Sequence, residues 1–234
     1  MHNALRFSFF LVVGLFIAGC DSGSSSIAPP PPNHPPPPPP PATSTYVVQV
    51  SALDVVGGST ETGSAAATIL HNTDDDLLNG AVTLTDIDAT AVTIKSGFAG
   101  QDGAAFITLT EANSERWEIP ADSALTADDL TALLAGGMYV EVETATGTIR
   151  GQITVGNIEV KVFELSGDQQ VPAITSAATG SGGITFNPDT GAVVVHVTAV
   201  GADDATAAHV HQAFAGANGG VLLALTQDPQ NPGH

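Results

Sequence analysis

A chain of 234 residues has room for one or two small domains. Hydrophobic residues make up 43% of it and charged ones only 12%, a globular composition, and the scarcity of aromatics suits β-domains with thin cores. Five basic residues against 24 acidic ones give a formal charge of −19, which repels nucleic acid and anionic headgroups and excludes both as expected ligands. With Cys20 as the single cysteine, neither an internal disulfide nor a thiolate metal cluster is possible.

Met1 to Arg6 is a short basic start, and Phe7 to Ile17 is an apolar run too short for an ordinary membrane span. It ends in Ile17-Ala18-Gly19-Cys20, which resembles the lipobox of bacterial lipoproteins. That resemblance implies a leader over 1–19, cleavage before Cys20 and a thioether-linked diacylglycerol on its sulfur, with palmitate among the acyl chains. Several acyl chains hold a protein stably on a bilayer where one chain does not. Residues 20–45 then form a Ser/Pro-rich linker with proline blocks at Pro29–Pro32 and Pro35–Pro41. Polyproline II extends by roughly 3 Å per residue, so the linker is expected to act as a stiff spacer. The expected address is the bacterial cell envelope, with the inner membrane, outer membrane and cell surface all left open.

The first folded unit is assigned to 46–156. Short runs with strand character lie at Tyr46–Val50, Ala66–Leu70, Leu77–Asp86, Ala91–Lys95 and Ala104–Thr110, followed by Trp117-Glu118-Ile119. One helix is expected, with Thr126 as N-cap and Asp129 at N3 forming a carboxylate capping box, and Leu125 and Leu130 placed as a staple. Leu130, Leu133 and Leu134 form its apolar stripe and Gly136-Gly137 ends it. Met138–Thr144 and Thr148–Val155 make a closing hairpin. Many short strands with one helix argue for an all-β, Greek-key sandwich or barrel-like domain.

The chain then repeats itself. Asp88-Ala-Thr-Ala91, a strand and Phe98-Ala-Gly-Gln-Asp-Gly103 reappear 116 residues later as Asp204-Ala-Thr-Ala207, a strand and Phe214-Ala-Gly-Ala-Asn-Gly219. The second unit, 158–234, has strand-like runs at Lys161–Leu165, Ala178–Phe186, Gly191–Val200, Ala207–Gln212 and Val221–Thr226. Nothing in it matches the Trp117 segment, the helix or the hairpin, so it is expected to be incomplete, with an open sheet edge.

Leu165-Ser-Gly-Asp-Gln-Gln-Val-Pro172, Ala178-Thr-Gly180, Ala208-His-Val-His211 and Ala215-Gly216 belong to one set of motifs. Trp117-x-Ile-Pro120, Tyr139-Val140 and Gly147-Thr-Ile-Arg150-Gly151-Gln152 belong to another. Together they resemble the start and the end of a chordin-type (CHRD) domain. The resemblance implies a secreted or surface β-module, often in tandem, with no established catalytic activity. Trp117, Tyr139, Arg150 and Gly151 are the structural motif residues it picks out. The family's His-x-His strand is kept as His209 and His211, but Thr93 and Lys95 stand there in the first unit. Its Asn-Val-His-Thr reads Glu141-Val-Glu143-Thr144, and Thr148 stands for the usual Glu. If those two strands are neighbours, Lys95 and Glu143 replace the histidines by an ion pair.

His209 and His211 share one face of a strand. Two imidazoles with His196 as third ligand would make a Zn²⁺ or Cu²⁺ site, and hydrogen bonding into a turn is the competing account. No cofactor is otherwise expected. The Asp74-Asp75-Asp76 and Asp203-Asp204 runs lack the spacing of a calcium loop, and no nucleophile motif surrounds any serine. The expectation is therefore a non-enzymatic lipoprotein, held to the lipid bilayer through Cys20. It would carry a structural or protein-interaction role toward an unknown protein or surface partner, with a metal-binding module as the alternative.

Overall fold

The computed structural model describes residues 42–228 apart from Val56 and Asp203. Cys20 and all but the last four residues of the linker lie outside the described residues, so the leader and lipidation expectations are not addressed by the fold. Among the described residues, no helix is long and apolar enough to cross a membrane.

Alternation of small apolar residues builds the first sheet. Strands β1 (Thr43–Val50), β2 (Ser64–Asn72) and β3 (Leu77–Thr85) form an antiparallel meander. Tyr46, Val48, Val50, Ala65, Ala67 and Ile69 all point inward, at every second position as a half-buried sheet requires. The second sheet brings β4 (Ala91–Ser96) between β5 (Ala104–Thr108) and β9 (Met138–Glu143), with β10 (Thr148–Ile153) outside β9. Short strands β6 (Thr110–Asn113), β7 (Arg116–Glu118) and β8 (Ser123–Ala124) extend the first sheet from β3. Of these, the sequence reading anticipated only the Trp117 strand. β6 and β8 are short and polar, so they lack the alternation that marks a strand.

The inner faces of the two sheets share one apolar cluster, with Val82 and Leu84 from one side and Val92, Ile94, Val140, Val142 and Ile149 from the other. The sheets also join at a corner. Ser51 and Arg150 exchange backbone hydrogen bonds of 2.9 and 3.0 Å, which gives the sandwich a barrel-like closure. Gly151 lies at this corner because a Cβ there would run into the Gln49 carbonyl and approach the Val48 side chain. Trp117 is buried in the same core, opposite Val82.

Helix α1 (Ala127–Leu134) forms where expected. The Thr126 hydroxyl accepts from the Asp129 N–H at 3.2 Å, and the Asp129 carboxylate accepts from the Thr126 N–H at 2.9 Å. Leu133 is fully buried, but Leu134 is 47% exposed, so the expected stripe is one residue narrower.

The second unit follows the same plan. Strands β11 (Glu159–Ser166), β12 (Thr179–Asn187) and β13 (Ala192–Val200) repeat the β1–β2–β3 meander, and β14 (Ala208–Gln212) with β15 (Gly220–Leu225) repeats the β4–β5 hairpin. The correspondence reaches local defects. The β4–β5 ladder slips between Ile94 and Lys95, and the β14–β15 ladder slips between Val210 and His211, at the matching position. Asn72 caps the turn after β2 by accepting from Asp74 N–H, and Asn187 does the same for Asp189 after β12. Among the described residues the second unit has no counterpart of α1, β9 or β10.

Candidate functional site

Three features stand out around β9, β10 and β14. The first is a polar layer on the outer face of the β4–β9–β10 sheet. In the Arg150-Gly151-Gln152 run, Gly151 faces the corner while Arg150 and Gln152 face outward and grip the Gly97–Gly103 loop. Arg150 donates from Nη1 to the Gln101 carbonyl at 2.6 Å and from Nη2 to the Phe98 carbonyl at 2.9 Å. Gln152 Nε2 donates to the carbonyls of Gly97, at 2.7 Å, and of Gly136, at 2.8 Å. Two side chains thereby satisfy four carbonyls of a turn and a helix end, groups that burial would otherwise leave costly. The Tyr139 ring lies beneath the Arg150 guanidinium, and its hydroxyl accepts from Gly103 N–H at 3.0 Å.

Burial pushes the Tyr139 phenol above its ordinary pKa and pulls the Arg150 guanidinium below its own. Arg150 remains charged, because a guanidinium starts so far above neutrality. Lys95, Glu141 and Glu143 complete the layer. Lys95 Nζ bonds to Glu141 Oε1 and lies 3.6 Å from Glu143 Oε1. Desolvation alone would lower the Lys95 ammonium; the hydrogen bond and charge of Glu141, with Tyr139 and Glu143 adding, outweigh it and leave the pKa raised. The Lys95–Glu143 pairing expected from the sequence therefore exists, with Glu141 as the closer partner.

The second feature is the junction between the units. The loop held by Arg150 packs on the outer face of β12 and β13. A Cβ on Gly183 would lie 2.6 Å from that of Ala99, and one on Gly100 would lie 2.8 Å from Gly183 N. Gly100 has φ +91°, a conformation favouring glycine, so both contacts depend on bare backbone. The Phe98 ring stacks on His196 with centroids 6.4 Å apart. Gly136, at the end of α1, faces Ile158 and Thr185. The second-unit residues buried here, Ser181, Gly183 and Thr185, have outward-facing counterparts in β2, Ala66, Thr68 and Leu70, of which Leu70 is 36% exposed. The described residues accordingly belong to one compact unit.

The third feature is the histidine strand. His209 and His211 share the exposed face of β14, as expected, with rings 5.8 Å apart in an edge-to-face arrangement. His211 Nδ1 lies 3.0 Å from the Gly219 carbonyl, so it is tied into its own hairpin. His196 is engaged at the junction instead. Among the described residues no group of three His, Cys, Asp or Glu could hold a metal ion, so the expected third ligand is not brought to the pair. The aspartate run also serves local structure. Asp75 caps Leu77 N–H at 3.3 Å, and Asp76 Oδ1 lies 3.1 Å from Nε2 of the buried His71.

What the second unit does present is uncovered apolar surface. Leu78 of β3 is 1% exposed, whereas its counterpart Val193 is 44% exposed; Ile107 is 8% exposed and its counterpart Leu223 38%. A groove of about 640 Å³ runs past this region, lined by Gln101 and Asp102 from the first unit and Val195, Val197 and Leu225 from the second. The sequence reading missed the junction. Gly183 in place of Thr68 was its one visible signal.

A comparison with curated proteins and with solved structures finds no match for this chain. The family model for the CHRD domain matches residues 45–153 and 162–233, the two units of the fold. A complete sandwich and a second meander-plus-hairpin on the same plan, matched over most of the sequence, show that the chain belongs to the CHRD-domain family and carries two CHRD segments.

Proposed function

We propose that this chain is a membrane-anchored, extracytoplasmic CHRD-domain lipoprotein that acts by binding rather than by catalysis. Cys20 would carry the acyl chains, the Ser/Pro-rich linker would hold the folded part away from the bilayer, and the two CHRD segments would meet a protein or surface partner. The basic start, apolar run and Ile17-Ala18-Gly19-Cys20 support the anchor. The observation that carries the binding role is the exposure of Val193 and Leu223, whose first-copy counterparts Leu78 and Ile107 are buried. Exposed apolar surface of this kind marks interaction sites in folded proteins.

Growth with a radiolabelled fatty acid, followed by membrane fractionation, tests the anchor. Label and membrane association in the wild type, and loss of both in Cys20→Ala, are expected. An unlabelled, freely soluble wild type would reject it.

A further inference from the structure

A groove of about 370 Å³ lies between the C-terminal end of α1 and the outer face of β12 and β13. Its floor holds two cross-strand pairs, Thr185 with Val194 and Asn187 with Ala192, and Phe98 and Leu134 stand on the opposite wall. Leu134, left 47% exposed by the core, is thus part of an apolar wall. No residue lining the groove carries a charge.

Thr185 is out of place in these surroundings. It is only 3% exposed, and among the described residues its hydroxyl has no hydrogen-bond partner. Its methyl is turned to Gly136, where an added Cβ would come within 3.2 Å of it, and Gly136 is not part of the groove. The hydroxyl is therefore the end of the side chain on the groove side. A buried hydroxyl without a partner costs free energy that an apolar residue does not, and the first unit has Leu70 at this position.

We propose that this groove binds a small uncharged ring compound carrying one hydrogen-bonding oxygen, the chemistry of a phenol. The ring would pack among Phe98, Leu134 and Val194, and its oxygen would pair with the Thr185 hydroxyl. The volume lies at the small end of ligand pockets, which run from about 300 to 1,000 Å³, and suits one or two rings. Phe98 favours an aromatic guest, since two rings gain from offset or edge-to-face contact beyond the area they bury. An anion is excluded, because the chain carries a formal charge of −19 and no wall residue is basic. The site shares no residue with the exposed Val193 and Leu223 or with Cys20, so it stands apart from the proposed anchor and binding role.

The full chain is titrated with p-cresol, toluene and p-toluate while amide and methyl NMR shifts are followed. Saturable binding of p-cresol is expected, with shifts centred on Leu134, Thr185 and Val194. Toluene should bind about tenfold more weakly, for want of one hydrogen bond to a buried group, and p-toluate should leave the spectrum unchanged. Thr185→Val keeps the shape and removes the hydroxyl. It should unfold at no lower denaturant concentration than the wild type and bind p-cresol and toluene equally. Equal affinity of the wild type for p-cresol and toluene would overturn the proposal. So would a Thr185→Val variant that keeps the preference, shifts centred elsewhere, p-toluate binding as tightly as p-cresol, or no saturation by p-cresol.

Discussion

The guanidinium carbon of Arg150 lies over the Tyr139 ring, 3.4 Å from its centroid. A planar cation over an aromatic face is favourable, and here the same group also satisfies two loop carbonyls. Arg150→Lys keeps the charge but loses the fork, and Arg150→Ala loses both. Arg150→Ala should cost about 3 kcal/mol, with the lysine variant in between, since buried carbonyls are left unpaired. Denaturant unfolding measures the cost, and faster amide exchange confined first to residues 97–103 would locate it.

Gly183 decides whether the two units pack. Its missing side chain lets the Ala99 backbone and side chain close on β12. Gly183→Ala should therefore loosen the junction, expose Phe98 and His196, and destabilise the fold by about 1–3 kcal/mol through overpacking. Gly220→Ala, where a Cβ meets nothing within 4 Å, is the matched control and should fall within about 0.5 kcal/mol of wild type. Limited proteolysis between the units distinguishes loosening from global loss.

Glu61 supplies a pH-dependent tie. Its carboxylate accepts from the hydroxyls of Thr144 and Thr146, each at 2.7 Å, and these bonds hold its pKa below the ordinary 4.5. A carboxyl depressed on folding contributes stability that is complete above its unfolded pKa and lost as pH falls through its folded pKa. Glu61→Gln should thus differ most from wild type near neutral pH, and the gap should close as acid protonates Glu61. Urea midpoints for both proteins, from about pH 7 to about pH 3, follow that closure. A gap constant with pH would assign the effect to packing instead.

Leu133 and Leu134 are neighbours with opposite surroundings, one fully buried and the other 47% exposed. Leu133→Ala should cost about 2–5 kcal/mol by opening a cavity under α1. Leu134→Ala should stay within about 0.5 kcal/mol. Thermal unfolding of the two variants separates them clearly.

The reading of the sequence went furthest where local chemistry is decisive. Thr126 and Asp129 announced a helix start because a hydroxyl and a carboxylate three residues apart satisfy each other's backbone donors. The repeated Phe98 and Phe214 turns announced equivalent hairpins because Gly103 and Gly219 both lie where a Cβ would overlap the opposite strand's carbonyl. It failed where pairing partners are distant and short. β6 and β8 are strands only because β7 and β3 lie beside them. Nothing local distinguishes an exposed Leu134 from a buried Leu133.

The candidate site divides in the same way. Sequence alone determined the duplicated β plan, the single cysteine, the acidic surface and the histidine pair on one strand face, since each depends on residue type and short-range spacing. Tertiary structure alone decided that Arg150 and Gln152 hold a loop from some fifty residues away. It also decided that His196 serves the junction rather than the histidine pair. Those outcomes depend on which surfaces meet after the chain has folded back on itself, and spacing along a strand carries no record of that.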